Sequence, residues 1–94
     1  MSFRKIKKRD GGLADFDFER IKSAVYKAFL AVELGGGDKA EVVTRDALKI
    51  LEEKFKGSTP SVEDVQDAVV LVLTRDGYSK VASEYQDYRK KKEE

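Results

Sequence analysis

The chain has 94 residues, a formal net charge of +1, no cysteine and no histidine. This length fits a single domain with one hydrophobic core. The lack of cysteine excludes disulfides, zinc ribbons and thiol chemistry, and the lack of histidine removes the commonest general base and metal ligand. No apolar run approaches the length of a membrane span and no signal peptide precedes the domain, so we expect a soluble, cytoplasmic protein.

The positive charge is concentrated at the two ends of the chain. All residues from 4 to 9 except Ile6 are basic and residues 89–92 form a second basic run, whereas residues 10–88 are net acidic. If the fold brings the two ends together, one basic face results. If it does not, the C-terminal run is a solvated tail.

The first predicted element is a short β-hairpin over residues 3–16. Asp10-Gly11-Gly12 separates two short segments and supplies the positive φ that hairpin turns need. Strands this short and polar are not stable alone, so we expect them to lie on helices.

Four helices are predicted to follow, each with one apolar stripe at helical spacing. The first should begin after an N-cap at Asp17 and end at the glycines 35–37, and the second should begin at Asp38 with a capping box completed by Glu41. The third should begin after Ser61 and the fourth near Ser79. The residues expected to face the core are Ile21, Val25, Ala28, Phe29, Val32, Val43, Ala47, Ile50, Leu51, Phe55, Val65, Val69, Val72, Leu73, Val81, Ala82, Tyr85 and Tyr88.

These elements predict a mainly α protein, a four-helix bundle capped by a short N-terminal β-hairpin. We expect one domain over residues 1–94, with a hairpin lid at 3–16, a helical bundle at 17–89 and a charged tail or linker at 90–94.

Two motifs that suggest other chemistry have simpler interpretations. The run from Gly35 to Lys39 is similar to a phosphate-binding P-loop, but a helix precedes it and Ala40 stands where a hydroxyl is needed, so we interpret it as a helix connection. The paired carboxylates fall on predicted solvent faces or in a helix first turn, where they complement the helix dipole. The sequence therefore gives no sign of a catalytic acid–base pair.

The basic strand at the N-terminus points to a polyanion. A basic edge strand is often a device against aggregation. However, Arg20 lies in the first turn of the first helix, where the dipole disfavours a cation, and it can face Lys8 and Arg9. Cations beside the free amides of a helix N-terminus suit a triphosphate.

Four segments resemble the ATP-cone domain, in order and with similar spacing over residues 3–90. The opening pattern is carried by residues 6–11 and 16–21, Ile-Lys-Lys-Arg-Asp-Gly and Phe-Asp-Phe-Glu-Arg-Ile. Residues 61–67 resemble the third-helix motif of the family, and residues 77–89 resemble its closing helix. ATP cones are regulatory modules, found mostly at the N-terminus of ribonucleotide reductase large subunits, that bind ATP or dATP.

The resemblance implies a nucleotide site under the hairpin lid. Lys8, Arg9 and Arg20 would contact phosphates, and Ile6 and Phe16 would flank the base or ribose. The third helix would contribute the positions of Val62 and Gln66, where some members carry a hydroxyl and a histidine. A lysine from the C-terminal run, Lys90 or Lys91, would complete the phosphate contacts.

We therefore expect a non-catalytic regulatory domain whose effector is ATP or dATP, with or without Mg²⁺, and whose partner is the catalytic body of a ribonucleotide reductase. Two alternatives stay open. The domain could be a structural or assembly module that has lost nucleotide binding, or a nucleic-acid-binding module that uses the same basic hairpin. The net acidic body and the lack of aromatic residues among the basic ones disfavour nucleic acid.

Overall fold

The computed structural model describes residues 5–8 and 10–93, with side chains as far as residue 87 in the last helix. It confirms the mainly α fold with an N-terminal antiparallel hairpin. The elements are β1 (Lys5–Lys7), β2 (Leu13–Asp15), α1 (Phe18–Ala31), α2 (Gly37–Lys54), α3 (Val62–Arg75) and α4 (Ser79–Glu93).

The core forms where the apolar stripes of the four helices meet. α1 packs on α2 and α4, and α3 packs on the same two helices from the other side. Most of the predicted stripe is buried, whereas Ile21, Val32, Ile50 and Phe55 pack against the core from partly exposed positions. The predicted core residues that the structure buries are Val25, Ala28, Phe29, Val43, Ala47, Leu51, Val65, Val69, Val72, Leu73, Val81, Ala82 and Tyr85.

The hairpin forms with its turn where the sequence predicts it. Ile6 lies opposite Ala14 at the centre of the two strands. Lys8 and Gly12 close the turn, because the Lys8 N–H donates to the Gly12 carbonyl at 2.8 Å and the Gly11 N–H donates to the Lys8 carbonyl at 3.0 Å. Gly11 has a φ of 90°, which a residue with a Cβ rarely adopts.

The predicted end of α1 at the glycines is wrong. α1 ends at Ala31, and Glu33 takes the left-handed conformation with a φ of 59°. The Leu34 N–H donates to the Phe29 carbonyl at 3.1 Å, and the Glu33 N–H donates to Leu30 at 3.0 Å. These two bonds satisfy carbonyls that the helix end would leave free, in the pattern usually made with glycine.

The predicted capping box of α2 is also wrong. α2 begins at Gly37, its N-cap is Gly36 with a φ of 91°, and no side chain caps it. Asp38 lies inside the first turn, where its negative charge interacts favourably with the helix dipole. The carboxylate of Glu41 instead contacts Arg45 at 2.9 Å.

The last two helices begin as predicted, but α4 continues beyond the expected boundary at residue 89. Ser61 caps α3, and α4 begins at Ser79. Residues 90–93, which we expected in a tail or linker, are part of α4. Glu94 lies outside the described residues.

Contacts between helices show how their ends are arranged. Lys22 lies 3.9 Å from Glu41, and Tyr26, one turn further along α1, lies beside Gly37 at the start of α2. α1 and α2 are therefore antiparallel, and α2 extends about two turns beyond the first residue of α1. Arg75 lies 3.6 Å from Asp46, so α3 also runs against α2 and starts near its far end. The first turns of α3 thus lie beyond the start of α1, at the end of the bundle that carries the hairpin.

Candidate functional site

The hairpin is attached to the segment that leads into α3. The Lys7 N–H donates to the Pro60 carbonyl at 2.9 Å, and Lys7 and Ser61 form a parallel bridge. Pro60 is itself fully buried. On its other side the hairpin leads into α1, because Asp15 lies two residues before the N-cap Asp17. The hairpin therefore spans the N-termini of α1 and α3.

Two of the predicted base or ribose contacts lie on the inner side of this hairpin. Ile6 and Phe16 are half-buried and pack against the core, whereas the neighbouring Lys5 and Lys7 are exposed. Strand alternation explains this split, because successive side chains point to opposite faces. The inner face of the hairpin is therefore apolar, and its outer face carries Lys5 and Lys7 together with Leu13 and Asp15.

The start of α1 offers backbone donors beside a cation. Asp17 accepts a hydrogen bond from the Arg20 N–H at 3.2 Å through its side chain, as the sequence predicts for an N-cap. The amides of Phe18 and Glu19, in the first turn, have no partner within the helix. The Arg20 side chain is exposed in the same turn.

Two of the predicted phosphate ligands carry positive charge that no described carboxylate neutralises. Across the described side chains of residues 5–8 and 10–87, no Asp or Glu lies within ion-pairing distance of Lys8 or Arg20. Lys5 differs, because it contacts the Asp15 carboxylate at 2.5 Å. Its hydrogen bond and positive charge hold the pKa of Asp15 below the ordinary value of 3.8.

The start of α3 is capped and acidic. The Asp64 N–H donates to the Ser61 hydroxyl at 3.1 Å, and the Ser61 N–H donates to the Asp64 carboxylate at 2.9 Å. Glu63 adds a second carboxylate in the first turn. Sequence reasoning placed the cap at Ser61 but missed that the box uses Asp64 in place of the usual glutamate or glutamine.

Val62 and Gln66, the two predicted contacts on α3, lie one turn apart on one face of the helix. Both are partly exposed. The amide oxygen of Gln66 is enclosed, and no group in the described part of the chain donates a hydrogen bond to it. Sequence alone could not reveal this enclosed acceptor, because it depends on the packing around α3.

The remaining predicted ligands fall where the structure gives no side chain. Arg9 lies outside the described residues, and Lys91 lies in α4 with its side chain outside them. Their assignment to phosphate remains a prediction. The structure thus places Ile6, Lys8, Phe16 and Arg20 on the hairpin and the start of α1, and Val62 and Gln66 in the first two turns of α3, at the same end of the bundle.

A surface depression elsewhere does not suit a polyanion. It is lined by side chains that include Asp38, Lys39, Asp76 and Tyr78, where α2 begins and α3 ends. This is the opposite end of α3 from Ser61, and two carboxylates line the depression. The described residues also contain no cluster of three or more Asp or Glu side chains that could hold a metal ion. Within the same ranges, no helix combines the length and apolar composition of a membrane span.

Comparison with known proteins identifies the family. The sequence pattern of the ATP cone domain matches residues 4–94. A vitamin B12-dependent ribonucleoside-diphosphate reductase from Thermoplasma acidophilum is 32% identical over 91 residues, which cover 95% of this chain and 12% of that protein. Proteins of the same name from two strains of Mycobacterium tuberculosis are 36% identical over 90 residues, or 96% of this chain and 12% of each protein. The chain therefore spans only a small part of these relatives, and it belongs to the ATP cone domain family.

Proposed function

We propose that this domain binds ATP or dATP as an effector beneath the hairpin and regulates a ribonucleotide reductase. The observation that carries the proposal is the attachment of the hairpin to the start of α3 through Lys7 and Pro60. This attachment puts the basic strand at the same end of the bundle as the first turn of α1. A small polyanion bound there would meet cations and free amides together.

The charges at this end suggest an orientation for the nucleotide. Lys8 and Arg20 have no described carboxylate partner, and the first-turn amides of α1 are available as donors. The first turn of α3 carries Glu63 and Asp64 and no cation, whereas the start of α1 carries Asp17 and Glu19 together with Arg20. We therefore assign the triphosphate to the hairpin and α1 and the nucleoside to α3. Ile6 and Phe16 would contact the base or ribose, and Arg9 and Lys91 would add cations.

We expect Mg²⁺ to bind at this site as a complex with the nucleotide's phosphates. In proteins Mg²⁺ is commonly held by one or two carboxylates together with substrate phosphates, and it keeps several waters. The described residues form no cluster of three or more potential ligands. Any Mg²⁺ would thus arrive bound to the triphosphate, where it would neutralise part of the phosphate charge.

The family and the identity of the relatives support the proposed regulatory role. The relatives are ribonucleoside-diphosphate reductases many times longer than the cone. An effector shifts the equilibrium of such an enzyme only if it binds two states of the assembly with different affinity. We propose that the catalytic body is the partner that couples to the cone, in a cytoplasmic enzyme.

Amide NMR spectra of the 94-residue chain test this proposal with ATP, dATP, GTP and single-stranded DNA. Adenine nucleotides should shift the amides around Lys8, Arg20 and Gln66, while those around Tyr78, at the other end of the bundle, serve as an internal control. The absence of any shift with millimolar nucleotide would leave the structural or assembly role. Binding of DNA with a steep salt dependence would instead favour the nucleic-acid role.

A further inference from the structure

The basic strand of the hairpin is paired on both of its sides. β1 pairs with β2 on one side, and on the other side the Lys7 N–H donates to the Pro60 carbonyl and Lys7 forms the bridge to Ser61. β2 is therefore the strand with a free edge. Lysine or proline on an edge strand commonly prevents other chains from pairing with it. Here the lysines lie on β1, and β2 contains neither lysine nor proline.

The backbone groups of β2 at this edge point towards solvent. The Lys7 N–H points away from β2, so Lys7 and Leu13 form a pair without hydrogen bonds between them. By the alternation of an antiparallel ladder, the N–H and carbonyl groups of Leu13 and Asp15 also face away from β1. No group in the described part of the chain bonds to them there. They are arranged to pair with one more strand.

The side chains beside this edge favour an acidic polypeptide. Leu13 is 62% exposed, the highest value among the large apolar side chains that the structure describes. Lys7 lies opposite Leu13 and is exposed, and no carboxylate among the described side chains lies within ion-pairing distance of it. Lys5, in contrast, is neutralised by Asp15. An incoming strand thus meets an apolar contact next to an uncompensated positive charge.

We propose that β2 binds an extended acidic segment of a partner protein by strand addition. The backbone of the segment bonds to the N–H and carbonyl groups of Leu13 and Asp15, an apolar side chain packs on Leu13, and a carboxylate pairs with Lys7. This inference rests on the proposed function, in which the partner is the catalytic body. Because the same hairpin would cover the nucleotide on its inner face, a segment at its edge lies where the nucleotide and the partner can affect each other's binding.

NMR titration of the chain with two peptides tests this proposal. The acidic probe is acetyl-Thr-Val-Val-Thr-Glu-Glu-amide, and the control peptide has lysine in place of both glutamates. The acidic peptide should bind with millimolar affinity, about 3- to 10-fold more tightly than the basic one. It should move the amide protons of Leu13 and Asp15 downfield as they form hydrogen bonds. Ala14, whose N–H points towards β1, should shift less.

Leu13→Ala and Leu71→Ala form a matched pair of variants, because Leu71 is a similarly exposed leucine on α3. Leu13→Ala should weaken binding of the acidic peptide about 3- to 5-fold and leave ATP affinity unchanged, whereas Leu71→Ala should bind the peptide like the wild type. Lys7→Gln, which keeps the backbone bond to Pro60, should lose the preference for the acidic peptide.

The outcomes separate this inference from the proposed function. If the acidic peptide does not bind, or binds no more tightly than the basic one, the inference is wrong. The same holds if Leu13→Ala and Leu71→Ala bind the acidic peptide equally. ATP titration of the same samples decides the proposed function separately: a chain that binds ATP and neither peptide keeps the nucleotide site without the strand site, and a chain that binds the acidic peptide but no ATP keeps only the strand site.

Discussion

The backbone N–H of Lys7 donates to the carbonyl of Pro60, joining the middle of the basic hairpin to the residue that precedes the cap of α3. A short two-stranded hairpin is at best marginally stable by itself in water. This bond, together with Ile6 and Phe16 against the core, fixes the hairpin on the bundle. The lid and the start of α3 therefore form one structural unit.

The cap at Ser61 should support both the helix and the hairpin. Ser61→Ala removes the acceptor for the Asp64 N–H, so we expect the free energy of unfolding to fall by about 1 kcal/mol. Chemical denaturation measures this loss. Hydrogen exchange should also become faster at the Lys7 amide, which bonds to the neighbouring Pro60.

Ser58→Ala is the matched control for this change. Ser58 is exposed in the same connection between α2 and α3. Its backbone N–H donates to the Phe55 carbonyl, and this bond does not depend on the side chain at position 58. We expect no change in stability or exchange. Equal effects of the two substitutions would mean that the cap does not hold the hairpin.

The end of α1 should become more stable with glycine. Glu33 has a φ of 59°, a conformation that disfavours residues with a Cβ. Glu33→Gly removes this strain, so the free energy of unfolding should rise by about 0.5–1 kcal/mol, measured by urea denaturation.

Lys49→Gly provides the contrast, because Lys49 is an exposed residue in the interior of α2. Glycine in a helix interior should lower the free energy of unfolding by about 1 kcal/mol. If Glu33→Gly destabilises the chain to a similar extent, the left-handed assignment at Glu33 is wrong.

The ion pair between Lys5 and Asp15 predicts a specific pH dependence. Because Lys5 lowers the pKa of Asp15 in the folded chain, the pair stabilises the hairpin above the ordinary carboxylate pKa of 3.8 and loses this effect as pH falls through the lower folded pKa. NMR titration of the Asp15 carboxyl carbon should give a midpoint below 3.8.

Lys5→Met should return that midpoint towards its ordinary value, and high salt should act in the same direction because both side chains are exposed. An unchanged Asp15 midpoint in Lys5→Met would show that Lys5 is not the cause of the shift.

Helix starts were predictable from sequence where a side chain caps the helix. Asp17 and Ser61 are visible as caps because they accept hydrogen bonds from amides a few residues away. The boundary between α1 and α2 was not predictable from sequence. Glu33 takes the left-handed conformation expected of glycine, and Gly36 is an N-cap that has no side chain to accept a hydrogen bond. Local sequence favours Asp38 as a cap, but α2 begins one residue earlier, after Gly36 in the left-handed conformation.

The residues proposed for the candidate site come partly from local sequence features and partly from the family resemblance. The basic strand, the turn and Arg20 are local features, and the family resemblance placed Ile6, Phe16 and Val62 beside them. The enclosed oxygen of Gln66 and the bond from Lys7 to Pro60 arise from contacts between distant segments. Such contacts leave no periodic or compositional signal in the chain.

The central claim, a triphosphate held at the start of α1, is tested most directly by calorimetric titration of ATP into the wild type, Arg20→Glu and Lys80→Glu. Arg20 and Lys80 are both exposed cations in a helix first turn without a described carboxylate partner, but Lys80 lies in α4, at the other end of the bundle. We predict that Arg20→Glu weakens ATP binding about 10- to 100-fold with little change in stability, and that Lys80→Glu binds like the wild type. Equal affinity of Arg20→Glu and Lys80→Glu for ATP would contradict the account.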